Sequence, residues 1–172
     1  MSRPILLISL QEDLDVIGLR SLHYHLLAHA YDSQLLFLPR CHVDAAPDKV
    51  RRTICRFVEQ ISPMFIGVSL MSLEHRRSAH LTRLLKAHCP GTPVIWGGIH
   101  PTIAPETCLD DADFVCIGEG ETTIRELAET LRRGDDPRGL RNLCFRKDGQ
   151  IVRNPLHPLI TDLDALPLDG KR

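Results

Sequence analysis

The sequence predicts a doubly wound α/β domain: a five-stranded parallel sheet with helices on both faces, then a β-hairpin and an extended linker. Three observations predict it. Short apolar runs without polar alternation recur along the chain, as expected of strands covered on both sides. Segments with apolar residues at helical spacing separate them, so the order strand-helix-strand repeats with right-handed crossovers. The 172 residues, 43% hydrophobic and 25% charged, suit one domain with a short tail.

Pro4 to Leu10 is the first expected strand, and Val16 to His29 a helix with Leu19, Leu22, Leu26 and Leu27 on one face. Gln34 to Leu38 is a second strand, stopped by Pro39. A helix from Asp48 to Ile61 places Val50, Ile54, Phe57, Val58 and Ile61 at helical spacing between Pro47 and Pro63. Phe65 to Leu70 is a third strand, and Leu73 to His88 a helix stopped by Cys89-Pro90-Gly91. Val94-Ile95-Trp96 and Phe114 to Ile117 are the fourth and fifth strands. Thr122 to Arg133 is the last helix, closed by Gly134. At this length the flavodoxin-like, Rossmann-like strand order 2-1-3-4-5 is expected. Asn142 to Phe145 and Ile151 to Asn154 flank Asp148-Gly149, a hairpin signal. The expected division is therefore an α/β domain over 1–139, a hairpin over 140–154 and a linker over 155–172 carrying Pro155, Pro158 and Pro167. The acidic, leucine-rich stretch from Thr161 to Pro167 is suited to docking on a neighbouring domain.

Charge and hydropathy exclude several functions. A formal net charge of -1 and a pI near 6.7 give no basic field for nucleic acid or an anionic membrane. No apolar run approaches the ~20 residues of a membrane span, and the N-terminus turns acidic too early for a secretory signal, so a cytoplasmic location is expected. The six cysteines form no C-x-x-C pair, which indicates neither a zinc site nor a redox motif. His23, His25, His29, His75, His80 and His88 fall in helical patterns, where solvated or partly buried imidazole is the expected state.

The most informative stretch runs from Val94 to Leu127. It holds two glycine turns, Gly97-Gly98-Ile99-His100-Pro101-Thr102 and Gly118-Glu119-Gly120-Glu121, each following an apolar strand. In open α/β sheets the ligand sits beyond the carboxyl ends of the strands, and glycine there lets a bulky group approach the main chain. Two such turns at adjacent strand ends point to one ligand site.

These residues resemble the N-terminal cobalamin-binding domain of the cobalamin-dependent radical S-adenosylmethionine enzymes. The resemblance rests on Gly67-Val68-Ser69, the two glycine turns, Pro105-Glu106, Asp113, and the Asp162-Leu163-Asp164-Ala165-Leu166-Pro167 segment, and it covers nearly the whole chain. It implies cobalamin as cofactor, with the benzimidazole tail in the sheet crevice. Ser69, Leu70 and Met71 stand where the family has S-x-L, with methionine in place of the leucine, and the serine hydroxyl corresponds to one that bonds the tail. Gly97 and Gly98 correspond to paired glycines that leave room for it, so a valine at Gly98 is expected to close the channel. Gly118, Glu119 and Gly120 correspond to the turn lining the same groove. A helix N-cap for Ser69, and a favourable acidic first turn for Glu119 and Glu121, are the structural alternatives. His100 is not expected to ligate cobalt.

Many cobalamin domains carry D-x-H-x-x-G after the first strand, the histidine being the lower cobalt ligand. Here Asp13-Leu14-Asp15-Val16-Ile17-Gly18 keeps the spacing with aspartate for histidine, and a carboxylate is a poor substitute for an imidazole in that role. The C-x-x-x-C-x-x-C of the radical domain is absent, so the iron-sulfur cluster and S-adenosylmethionine are expected only in a separate domain, in cis or in trans. The implied role is to hold cobalamin for methyl transfer or rearrangement catalysed elsewhere. Two other classes stand beside it. A flavin or nucleotide site is disfavoured by the acidic Gln11-Glu12-Asp13-Leu14-Asp15 loop. A degenerate flavodoxin-like interaction module without cofactor would fill the groove with bulky side chains, whereas Gly97, Gly98, Gly118 and Gly120 keep it open.

Overall fold

A computed structural model describes residues 3–167; the last part of the expected linker, 168–172, lies outside the described residues. The five parallel strands are β1 (Ile5–Ser9), β2 (Ser33–Phe37), β3 (Ile66–Ser69), β4 (Val94–Gly97) and β5 (Phe114–Cys116). They lie in the order β2-β1-β3-β4-β5, and the hairpin β6 (Leu143–Lys147) and β7 (Gln150–Arg153) extends the sheet beyond β5 to seven strands. β6 runs antiparallel to β5, with Val115 opposite Cys144. The turn residues Asp148 and Gly149 both have positive φ, 50° and 78°, the conformation that two-residue hairpins favour.

Alternation along the strands divides the core in two. Leu6, Ile8, Val68, Trp96 and Val115 face one layer. Ile5, Leu7, Ile95 and Cys116 face the other. Helices α2 (Asp48–Ile61) and α3 (His75–His88) pack together over the first layer, while α1 (Ile17–Ala28) and α6 (Glu121–Arg133) pack together over the second. Each fully buried side chain of the Leu6 or Ile8 kind contributes about 1.5–3 kcal/mol of transfer free energy. Trp96, also fully buried, satisfies its indole N–H by donating to Thr82 Oγ1 at 3.0 Å.

Differences from expectation are local. Leu27 is exposed, because it stands well off the stripe formed by Leu19, Leu22 and Leu26; Val50 and Phe57 are also exposed, beside the buried face of α2 formed by Ile54, Cys55 and Val58, and so is Leu73 in the segment before α3. The third helix begins with a 3-10 turn, Ser72–Glu74. Two short helices, α4 (Ile99–Ile103) and α5 (Pro105–Cys108), occupy the segment read as turn. The tail returns over its own domain: Arg141 donates to Leu156 O at 2.7 Å and Ile160 N donates to Glu119 Oε2 at 2.7 Å. No helix among the described residues is long and apolar enough to cross a membrane.

Candidate functional site

At the carboxyl ends of β1, β3, β4 and β5, beneath α1 and α6, lies a crevice of about 260 Å³. Its walls are aliphatic: Leu7 and Ile95 rise from the strands, Leu19 and Leu22 from α1, and Ile124 from α6. These belong to the second core layer, which stops short because the strand ends there carry glycine. Gly97 shows why. Side chains alternate along β4, so Trp96 enters the first layer and position 97 faces the crevice beside Ile95. A Cβ at Gly97 would meet nothing closer than Cys116 Cβ at 3.9 Å, so the missing side chain is open space.

Gly98 has a different reason. Its φ of 106° and ψ of -164° lie in a region that only glycine occupies readily. A Cβ there would stand 2.7 Å from Leu70 O. Its absence therefore lets β4 turn against the end of β3. A valine at this position acts first on the backbone, which corrects the expectation that it simply closes a channel.

The two glycine turns are joined by one hydroxyl. Thr102 Oγ1 donates to Gly98 O at 2.8 Å and accepts from Gly118 N at 3.0 Å. Gly118 has φ 78°, which suits it to the second turn. Asn142 Nδ2 donates to Glu119 O at 2.9 Å and fixes that turn from the hairpin side. Glu121, in the first turn of α6, accepts from Ser21 Oγ of α1 at 3.0 Å and closes the two helices over the crevice. A Cβ at Gly120 would press on Leu22 Cδ2 at 3.2 Å, so this glycine allows the close approach of α1.

Polar chemistry in the crevice is sparse. Ser69, the last residue of β3, is part of the wall, while the position capping the following 3-10 turn belongs to Met71. Cys116 is buried in the wall, and burial pushes its thiol up to about 12, so it is a neutral, nearly apolar group at physiological pH. The arrangement suits a largely apolar group with a few hydrogen-bonding atoms.

The crevice wall thus contains Gly18, Ser69, Gly97, Gly98, Gly118, Glu119, Gly120 and Glu121. The other candidate residues stand elsewhere. Asp13 and Asp15 lie on the exposed loop after β1, where Asp15 N donates to Asp13 Oδ1 at 2.8 Å. Leu70 is fully buried in the first core layer, whereas Met71 and Ile99 are exposed and outside the crevice lining. Pro101 is buried and Thr102 acts by joining the turns. His100 lies 3.0 Å from Ser72 Oγ through Nδ1 and 3.1 Å from Thr107 Oγ1 through Nε2. Burial, then the neighbouring His75, holds it below the ordinary imidazole range. The sequence reading did not single out the aliphatic wall. The strand alternation places Leu7 and Ile95 on one face, but it does not distinguish a crevice wall from a filled core.

The model of the B12 binding domain family matches residues 3–128. Among relatives, an uncharacterized methyltransferase, PH0819, of Pyrococcus horikoshii is 26% identical over 126 residues, which cover 72% of this chain and 28% of that protein. The anaerobic magnesium-protoporphyrin IX monomethyl ester cyclase of a Synechocystis species is 29% identical over 161 residues, covering 90% of this chain and 31% of the cyclase. The chain thus spans under a third of the length of these relatives. Among solved structures, the radical S-adenosylmethionine methyltransferase TsrM of Kitasatospora setae, with cobalamin and a [4Fe-4S] cluster bound, superposes with a TM-score of 0.77. The identity is 20%, over 96% of this chain and 31% of TsrM, and the likeness is one of fold.

Proposed function

Because the chain belongs to the B12 binding domain family, whose cofactor is cobalamin, we propose that the crevice holds the nucleotide tail of cobalamin, with the corrin ring outside over the strand ends. The observation that carries this reading is the open, aliphatic crevice of about 260 Å³ reached past Gly97. That space suits a flat bicyclic base with its sugar and is too small for a corrin. A base held there by Leu7, Ile95 and Ile124 would not be available as a ligand to cobalt.

The residues divide the work. Leu7, Leu19, Leu22, Ile95 and Ile124 desolvate the base, and Gly97 leaves the volume it needs. Ser69 supplies a hydroxyl to the tail. Gly118 and Gly120 bring main chain to the groove without side chains in the way. Asp15, exposed on the loop after β1, offers no imidazole, so this loop would supply no histidine to cobalt. Bound cobalamin supplies a cobalt centre suited to methyl transfer or rearrangement.

The chain's share is to bind and orient. The catalytic share lies in a radical S-adenosylmethionine domain, in cis or in trans, which the proteins similar to this one support: TsrM is such a methyltransferase and carries both cobalamin and an iron-sulfur cluster. Residues 155–167 form the segment leading toward that domain, following a domain over 1–139 and a hairpin over 140–154. A cofactor-free interaction module on the same fold is disfavoured by the open glycine-lined crevice.

The test is the visible spectrum of the purified chain after incubation with hydroxocobalamin and desalting. Retention of about one corrinoid per chain, with the spectrum of the benzimidazole-displaced form, is the expected result. A folded chain that retains none contradicts the proposal.

A further inference from the structure

Across the sheet from the crevice, three donors from three elements meet. His75 is the first residue of α3, His100 lies in α4, and Cys108 ends α5. One ring nitrogen of each histidine and the Cys108 sulfur all lie within 4.8 Å of one another. The two imidazole centroids are 4.6 Å apart, and His75 stands edge-on to Trp96 at 5.7 Å. We propose that His75, His100 and Cys108 bind one divalent transition-metal ion of the zinc type.

The donor set decides the class of ion. Two imidazoles and a thiolate are borderline-soft ligands, which favour zinc over magnesium or calcium. Zinc bonds of ~2.0–2.1 Å to nitrogen and ~2.3 Å to sulfur set tetrahedral donors roughly 3.4–3.7 Å apart. From a cluster within 4.8 Å, seating the ion needs side-chain movement of about an ångström. Cys108 is buried and both histidines are half-buried, so three ligands close the inner side and a water completes the outer one.

The surroundings fit ligand histidines, whose second nitrogen is held by an oxygen. His75 Nε2 lies 3.1 Å from Thr107 O. His100 Nδ1 lies 3.0 Å from Ser72 Oγ, and its Nε2 lies 3.1 Å from Thr107 Oγ1. An ion on His100 displaces one of these hydroxyls. That of Thr107 keeps its bond to Ala104 O, at 2.8 Å. Burial pushes the Cys108 thiol up to about 11, so the thiol enters the reaction protonated. The sulfur-metal bond forms as the sulfur-hydrogen bond breaks, and one proton leaves to solvent. No sequence spacing announces such a site, since each ligand comes from a different element. Its effect on the fold is to tie α4, which begins beside Gly98, to α3 and α5.

The test uses the corrinoid-free chain after treatment with a chelator, titrated with Co²⁺. Saturation near one ion per chain is expected, with a near-ultraviolet thiolate-to-cobalt band and strong visible bands of tetrahedral type that Zn²⁺ abolishes. Cys108→Ser should lose the thiolate band, and His75→Gln, at a half-exposed position, should weaken binding at least about tenfold. Far-ultraviolet circular dichroism establishes the fold of each. A folded wild-type chain without the band overturns the proposal. So does a band that survives Cys108→Ser, or unchanged affinity in folded His75→Gln.

Discussion

Gly118 donates its backbone N–H to Thr102 Oγ1 at 3.0 Å, and the same hydroxyl donates to Gly98 O at 2.8 Å. One side chain therefore sets the spacing of the two turns at the mouth of the crevice. Thr102→Val keeps the shape and removes both bonds. Neutral hydrogen bonds contribute about 0.5–1.5 kcal/mol each, so the loss of two, about 1–3 kcal/mol, should lower cobalamin affinity by roughly five- to 160-fold. Thr102→Ser should restore most of it in a spectrophotometric titration.

Gly98 and Gly97 should respond differently to substitution. Gly98→Ala places a Cβ 2.7 Å from Leu70 O on a backbone that only glycine adopts readily. A cost of about 1–3 kcal/mol or more in stability is expected, whether or not cofactor is present. Gly97→Val places its Cβ in ordinary contact with Cys116 and directs its methyl groups toward the crevice, and should leave unfolding close to wild type. Chemical denaturation of the cofactor-free variants checks both.

His25 explains an expected acid sensitivity. Both its ring nitrogens are buried without a hydrogen-bond partner among the described residues. Burial first, then His29 and Arg125, lowers its pKa to about 4 from 6.5. As pH falls from 6.5 toward 4 the unfolded chain takes a proton that the folded chain refuses, so stability is lost across that window and levels off below it. His25→Leu removes this loss and two unpaired nitrogens. The variant should be more stable at pH 5 than wild type, with a shallower acid limb in denaturation measured at stepped pH.

Glu119 connects the second glycine turn to the tail. Its carboxylate accepts from Ile160 N at 2.7 Å, and its carbonyl accepts from Asn142 Nδ2 at 2.9 Å. Glu119→Ala removes the first contact and keeps the second. Faster amide exchange and faster proteolysis around 156–163 are expected, with exchange in β1 and β3 unchanged. Hydrogen exchange read by mass spectrometry checks this.

The parts of the fold readable in the sequence were those with a period or a stop signal. The Asp48–Ile61 helix stands between Pro47 and Pro63, and α6 ends at Gly134 in the left-handed conformation. The helix α4 was not readable, because five residues after Gly-Gly are too few to show a 3.6-residue period. Nor was the pairing of β6 with β5, which depends on contacts such as Val115 with Cys144, far apart in sequence. At the site, Gly98 and Gly118 were legible because their reason is local, a positive φ in the turn that follows a strand. Leu7, Leu19, Ile95 and Ile124 were not, because a residue lining a crevice has the same pattern as one filling a core. The bond from Ile160 to Glu119, which folds the tail back, left no local signal either.

The most direct test of the crevice as the tail site compares cobalamin with cobinamide, which lacks the nucleotide tail, on the wild-type chain and on Gly97→Val. The wild type should prefer cobalamin by about a hundredfold or more, equivalent to burying roughly 110 Å² of apolar surface. Gly97→Val, folded but with the crevice filled, should lose that preference and bind both corrinoids equally weakly. Equal binding of cobalamin and cobinamide by the wild type, or an undiminished preference in Gly97→Val, would contradict the account.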